Sequence, residues 1–263
     1  MSGPISYLAS DLPWPPSVED FYLPAIVHGT YPWITKFTAL VWLAVAIIIV
    51  FFLLAYRKPK LVPTKAQWLA ESMYGFGRNN VAEEVIGHKG LRFAPYLATL
   101  FVFILVTNLF SIVPLIQVSP NAHIAFPAML AVISYVMFNY LGIRQHGFWP
   151  YIKLNLFLPG VPWPMYFLLV PIEFFSTFIL RPLTLALRLF ANMFAGHVIL
   201  LVFTLGGFVL LQSDSLFIKP ISVLSWAMAI ALTFFEVLVC ALQAYVFALL
   251  TASYVTGALA EEH

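Results

Sequence analysis

Long uncharged apolar runs divide the chain. A membrane span needs about 20 mostly apolar residues. Phe37–Tyr56 and Phe93–Gln117 carry no charge, and Ile124–Leu141 is shorter but also uncharged. An apolar territory then extends from Met165 to Ala260, broken at Gln212-Ser213-Asp214-Ser215 and the following Lys219-Pro220, which reads as a turn. The runs are continuous, not alternating, so they predict helices and not barrel strands. The pattern predicts an all-α polytopic membrane protein with five membrane helices: 37–56, 93–117, 124–141 and a hairpin of 165–211 and 216–260. Between the first two spans, Ala66–Ile86 mixes Trp68, Leu69, Met73, Tyr74, Val81 and Val85 with charges. It reads either as an amphipathic helix on the inner surface or as a polar loop, since Gly75 and Gly77 weaken a helix.

The two arms of the hairpin are each about twice the length of an upright span. At about 1.5 Å per residue each reaches roughly 65–70 Å, against a hydrocarbon core of about 30 Å. An ordinary tilt of about 20° does not absorb the difference. Breaks at Pro171 or Pro182, a bend at Gly206-Gly207, or a run along the interface are alternatives. The polar residues favour a steeply tilted antiparallel hairpin.

Composition strengthens the membrane reading. Hydrophobic residues make up 62% of the 263, charged ones only 9%, and aromatics 17%; the mean hydropathy is +0.94. Soluble domains carry about 25% charged residues, so a soluble domain, a disordered chain and a nucleic-acid binder are all excluded. The single cysteine, Cys240, excludes an internal disulfide and a cysteine-based metal site. No cofactor or metal is called for. There is no P-loop, GxGxxG, HExxH or GxSxG pattern, so the chain is not catalytic alone.

Basic residues set the orientation. Only Lys36 precedes the first span, whereas Arg57, Lys58, Lys60, Lys65, Arg78, Lys89 and Arg92 follow it. Val118–His123 has no Lys or Arg, and the next loop has Arg144 and Lys153. The expectation is an outer N-terminal segment (1–36), a cytoplasmic loop (57–92), a channel domain (93–263) and a cytoplasmic C-terminus, Glu261-Glu262-His263. The N-terminus has no basic leader and carries Asp11, Glu19 and Asp20, unlike a signal peptide.

The chemistry is concentrated in the hairpin. Arg188 lies deep in apolar sequence, where a charge costs at least ~2.5–3.5 kcal/mol on insertion scales. It marks a functional site, or else a snorkelling or structurally paired residue. Arg181, Thr184, Arg188 and Asn192 share one helix face, with Thr177 extending it. On the return arm Ser222, Ser225, Ala229, Glu236, Cys240 and Gln243 follow similar spacing. A turn centred near Asp214 puts Arg188 level with Cys240, Gln243 within a turn of it, and Glu236 level with Asn192 and near His197. His197 and Glu236 exchange protons; Arg188 cannot, but attracts a carboxylate or blocks a passing proton. Each also has a plainer reading, His197 as a hydrogen-bonded packing residue above all. Asn108 and Ser111 either line a wet cavity or bond between helices. Glu173 either lines an inner aqueous path or pairs with Arg181.

The run Arg181-Pro182-Leu183-Thr184-Leu185-Ala186-Leu187-Arg188-Leu189-Phe190-Ala191-Asn192-Met193-Phe194-Ala195-Gly196-His197 closely resembles the signature helix of subunit a of the F-type ATP synthase, bacterial type, with a pattern like R-P-L-S-L-x-x-R-L-F-G-N-M-x-A-G. Leu242-Gln243-Ala244-Tyr245-Val246-Phe247 resembles the family's last helix, and Asn108 before Pro114 its second span. The resemblance runs from about Phe93 to the C-terminus. It maps the essential arginine onto Arg188 and its glutamine partner onto Gln243. It departs at Ala191, where Gly is usual, and exchanges an acid and an imidazole between helices at His197 and Glu236. It implies a stator beside a rotating ring of c subunits, a b-type peripheral stalk and the F1 sector, in a bacterial plasma membrane. Protons would enter by one half-channel, neutralise a ring carboxylate and leave by another, with Arg188 separating the two; the His/Glu pair suits H⁺ over Na⁺. A secondary transporter would need internal repeats, which are not visible. A structural membrane subunit would not need Arg188, His197 and Glu236 in apolar helices, and an intramembrane hydrolase would need a nucleophile–base pair. Arg188 is expected to face a partner, and His197 and Glu236 to face one another on its outer side.

Overall fold

The computed structural model describes residues 35–113, 116, 118–157, 163–212 and 219–259. The expected outer N-terminal segment lies almost wholly outside the described residues, as do the turn at Asp214 and the end Glu261-Glu262-His263. Among the described residues five helical runs are long and apolar enough to cross a membrane: Lys36–Ala55, Gly90–Leu109, Ala125–His146, Trp163–Leu211 and Lys219–Leu259.

Thr35 caps α1 (Lys36–Ala55), its hydroxyl accepting from the Thr38 N–H. Thr64 caps α2 (Lys65–Gly75) in the same way through the Gln67 N–H. The chain stays helical past Gly75: a π-helical stretch, Phe76–Glu83, leads to a last turn at Glu84–Ile86. Ala66–Ile86 is therefore helical and not a polar loop. Gly77 serves packing, because a Cβ there would lie 2.7 Å from Ala98 Cα. Val81 and Ala82 are fully buried with Leu97 and Phe101, and Thr256 Oγ1 donates to Val85 O at 3.2 Å. The segment is docked on the bundle, beyond the surface-lying helix expected.

The second span is shorter than the expected 93–117: α3 (Ala94–Leu109) follows a 3-10 turn and stops eight residues early. The Ser111 hydroxyl and N–H both donate to Asn108 O, at 2.8 and 3.0 Å, turning the chain there. The third span is longer than 124–141. Here α4 (Ala125–His146) runs on to Gly147, whose φ of 86° only glycine adopts readily. A helix the sequence did not suggest, α5 (Phe148–Leu156), fills the following loop. Its Tyr151 is buried on Gly142 and donates to Asn139 Oδ1 at 3.2 Å.

The first arm of the hairpin combines α6 (Trp163–Phe175), a π-helical stretch Ser176–Leu180 and α7 (Arg181–Leu211). Neither proline breaks it. Pro182 has no N–H, and just ahead of it the wider π turn lets the Arg181 N–H reach back to Ser176 O. The return arm is a single helix, α8 (Lys219–Leu259), of 41 residues. α7 runs unbroken through Gly206-Gly207, and the second glycine admits Trp226, whose Nε1 would lie 2.3 Å from a Cβ there.

The contacts across the hairpin fall within about a turn of the expected register. Gly207 meets Trp226, Gly196 meets Glu236, and Ser225 Oγ donates to Phe203 O at 2.7 Å. Extended along both helices, these pairs bring Arg188 level with the stretch from Cys240 to Tyr245, which holds Gln243. Glu236 lies against Gly196 and lines one cavity with Asn192.

The core joins α3, α4, α7 and α8 around Leu97, Ile104, Phe138, Leu189, Ala244 and Val255. Alanines at 131, 186, 244, 248 and 252 are nearly or fully buried. Small side chains let helices approach closely, which matters in lipid, where apolar contact alone gives no preference for protein.

Candidate functional site

Helix α7 has two different faces. Leu185, Leu189, Met193 and His197 recur every fourth residue and are buried. Thr184 and Arg188 stand exposed on the other side, and Asn192 is half-buried. Thr177 does not extend this exposed stripe: it is buried. The π turn between it and Arg181 inserts extra chain and rotates the phase.

Arg188 makes no hydrogen bond or ion pair with any described residue. Its guanidinium therefore has no anion among the described residues. Arg181 is engaged elsewhere, with its guanidinium 5.5 Å from the centroid of Tyr254. Glu173 is half-buried on α6 and forms no ion pair with Arg181.

On α8, Ser222, Glu236, Cys240 and Gln243 are all buried, so the first part of its inward-facing side carries polar groups, and Ala244, Phe247, Ala248, Ala252 and Val255 continue it as apolar core. Glu236 is 5% exposed, and both its carboxylate oxygens lack a hydrogen-bond partner. The Ser111 hydroxyl neighbours it without closing such a bond. Gly196 leaves room for it; a Cβ there would begin 3.2 Å from Oε1. Glu236 also lines a cavity of about 310 Å³ with Asn192, Gly196, Ile199 and Leu242. Asn192 belongs to the same exposed stripe as Arg188, so the cavity opens on the Arg188 side.

His197 lies one residue from Gly196, yet no hydrogen bond joins it to Glu236. It turns instead to the corner between α3 and α4, where the Ser119 N–H donates to Nε2 at 3.2 Å. The structure thus brings the two residues to one crossing of the hairpin but gives each a different neighbour.

That corner is a buried polar cluster. Asn121 Nδ2 donates to Thr107 Oγ1 at 2.9 Å and to Asn108 Oδ1 at 2.7 Å. Asn108 Nδ2 donates to Cys240 O at 3.4 Å, and the Ser111 hydroxyl lies 3.9 Å from Cys240 Sγ. Of the two roles open to Asn108 and Ser111, both bond between helices. Sequence reasoning missed Thr107, Ser119, Asn121 and Gly196. Ser119-Pro120-Asn121 was a readable turn signal, but nothing in it pointed to His197. Among the described residues no three His, Cys, Asp or Glu side chains gather as a metal site.

The family model described as ATP synthase A chain matches residues 38–256. A curated relative called ATP synthase subunit a from Rhodococcus erythropolis is 45% identical over 262 residues, covering 98% of this chain and 95% of its own. The proteins of the same name from Nocardioides sp. and Frankia alni are 44% and 46% identical, over 95% and 88% of this chain and 94% and 80% of their own. With that coverage, and with five helices fit to span a membrane, the chain belongs to the ATP synthase A chain family.

Proposed function

We propose that this Fo-sector subunit carries protons to and from a partner's carboxylates through two offset half-channels, with Arg188 as the barrier between them. The observation that carries the reading is Arg188 itself. It is an exposed, permanently charged residue in an apolar helix with no anion of its own among the described residues. A ring of c subunits, each bringing a carboxylate past Arg188 in turn, supplies that anion.

His197 and Glu236 form the outer path, buried on the turn side of Arg188. Glu236 reaches the cavity beside Asn192, so it is the group from which a proton passes to the ring. Gln243, buried and nearly level with Arg188, steers the guanidinium or the arriving carboxylate, and Asn192 flanks it. Asn108 braces the path through Asn121 and Cys240 O. Glu173, on the opposite side of Arg188 along the arm, belongs to the inner path. The transported ion is H⁺, because the buried Glu236 carboxyl exchanges protons whereas Na⁺ wants several oxygen ligands. Each charge crossing releases about 2.3 kcal/mol per 100 mV, so several crossings drive one ATP.

The orientation that suits the basic residues is N-terminus outside and C-terminus cytoplasmic, in a bacterial plasma membrane. A b-type stalk and F1 complete the complex.

The test is ATP synthesis and passive proton flux in vesicles holding the assembled complex. Arg188→Ala should abolish proton-driven synthesis and raise the leak. Arg188→Lys should also be poor, since an ammonium deprotonates when desolvated and lacks the planar fork. Wild-type synthesis by an assembled Arg188→Ala complex would make Arg188 structural.

A further inference from the structure

The bond between Ser119 and His197 fixes which ring nitrogen carries the proton. Ser119 N–H donates to His197 Nε2 at 3.2 Å. A main-chain N–H only donates. Nε2 must therefore present its lone pair, and the proton of the neutral ring sits on Nδ1.

The donor is held rigidly. Ser119 Oγ donates to Thr107 O at 3.0 Å and accepts from the Asn121 N–H at 3.2 Å. Cys240 O can only accept, so Asn108 turns its amide nitrogen there and its oxygen to Asn121, whose own nitrogen must donate. Thr107, Asn108 and Ser119 are fully buried and Asn121 is 1% exposed. Water does not compete for these bonds, and in a low dielectric a satisfied network of this kind is stiff.

We propose that Ser119 is a positioning residue for the proton path. Its main-chain N–H, braced by Thr107, Asn108 and Asn121, holds His197 as the Nδ1–H tautomer and bars its protonation at Nε2. A histidine relay takes a proton at one nitrogen and releases one at the other. His197 is barred from that, because a proton on Nε2 would set two donors face to face in a buried site. Nδ1 makes no bond with a described residue and is not a sealed atom. The ring therefore acts as an oriented N–H donor, and Glu236, which lines the cavity beside Asn192, is the group on this path that takes up the proton and passes it on. The tautomer follows from the geometry alone; its bearing on transport rests on the proposal that His197 lies on the outer path.

The experiment uses the assembled complex with ¹⁵N-labelled histidine, the His197 signals being assigned by difference from a His197→Gln complex. The wild type should show a protonated Nδ1 and a bare Nε2. Ser119→Ala keeps the main-chain N–H and should keep that tautomer. Ser119→Pro loses both hydroxyl and N–H; it should lose the single tautomer and take up protons at least roughly tenfold more slowly than Ser119→Ala. A wild-type spectrum with Nε2–H or an imidazolium overturns the proposal, as does an unchanged tautomer in Ser119→Pro. If Ser119→Pro fails to assemble, the other two spectra still decide. The expected tautomer together with wild-type proton-driven synthesis by His197→Gln would instead remove His197 from the proton path while leaving the lock in place.

Discussion

Gly196 and Glu236 share one crossing of the hairpin. The carboxylate lies against bare main chain, where a Cβ on Gly196 would begin 3.2 Å from Oε1. The missing side chain lets a carboxyl group sit between two helices, buried, while still lining the cavity beside Asn192.

That geometry makes Gly196 sensitive to size. Alanine favours a helix over glycine by about 1 kcal/mol, and Glu236 can yield a few tenths of an ångström. Gly196→Ala should therefore assemble normally with a modest fall in proton-driven ATP synthesis. Gly196→Leu should displace the carboxylate and nearly abolish synthesis. Synthesis rates normalised to assembled subunit check both; an unaffected Gly196→Leu complex would show that the placement of Glu236 is immaterial.

Glu236→Gln keeps volume and removes only the ionisable group. Both carboxylate oxygens are unpartnered, so the change breaks no hydrogen bond among the described residues and assembly should be intact. Proton uptake from the outer side should fall by a factor of roughly 10²–10⁴, the range of a positioned acid–base group. Single-sided proton uptake in oriented vesicles measures this.

At the other end of the bundle, Gly142 carries the docking of α5. A Cβ there would lie 2.1 Å from Tyr151 Cε2, a ring that is 2% exposed. Gly142→Ala should undock α5 and lower thermal stability by roughly 1–3 kcal/mol, the cost of overpacking. Tyr151→Phe loses only the bond to Asn139 and should cost about 0.5–1.5 kcal/mol. Thermal unfolding and limited proteolysis around Gly147 distinguish the two.

The length of the hairpin predicts its attitude. Helix α8 has 41 residues, about 62 Å at 1.5 Å per residue, against a core of about 30 Å. Full immersion requires a tilt near 60°, far beyond the ordinary value of about 20°. Polarised infrared dichroism of oriented membranes, with isotope-labelled carbonyls in α8, should report that angle; a value near 20° would put the excess length in water.

The apolar runs by themselves determined that five helices would cross a membrane and that the last two would be too long to stand upright. The reason is local: burial in lipid demands a continuous apolar stretch, and a helix satisfies its own backbone within that stretch. Helical spacing likewise put Arg188 and Asn192 on one face, and the polar residues of α8 on another, before any contact was known. Where the chain stops being periodic, the sequence was silent. The end of α3 at Leu109 depends on Ser111 bonding back to Asn108 O. The helix α5 depends on Tyr151 finding Gly142. The phase of Thr177 depends on a π turn.

The candidate site divides along the same line. Arg188, His197, Glu236 and Gln243 were legible because charge and polarity are expensive in apolar sequence. Their relationships were not. Glu236 sits against Gly196 while sharing a cavity with Asn192, and neither helix alone encodes that placement, which depends on Trp226 entering the space over Gly207 and on Ser225 reaching Phe203 O. The partner of His197 comes from a main-chain N–H 78 residues earlier. Every residue except proline carries such a group, so no side-chain pattern could single out Ser119; only the folded corner between α3 and α4 brings that donor to the ring.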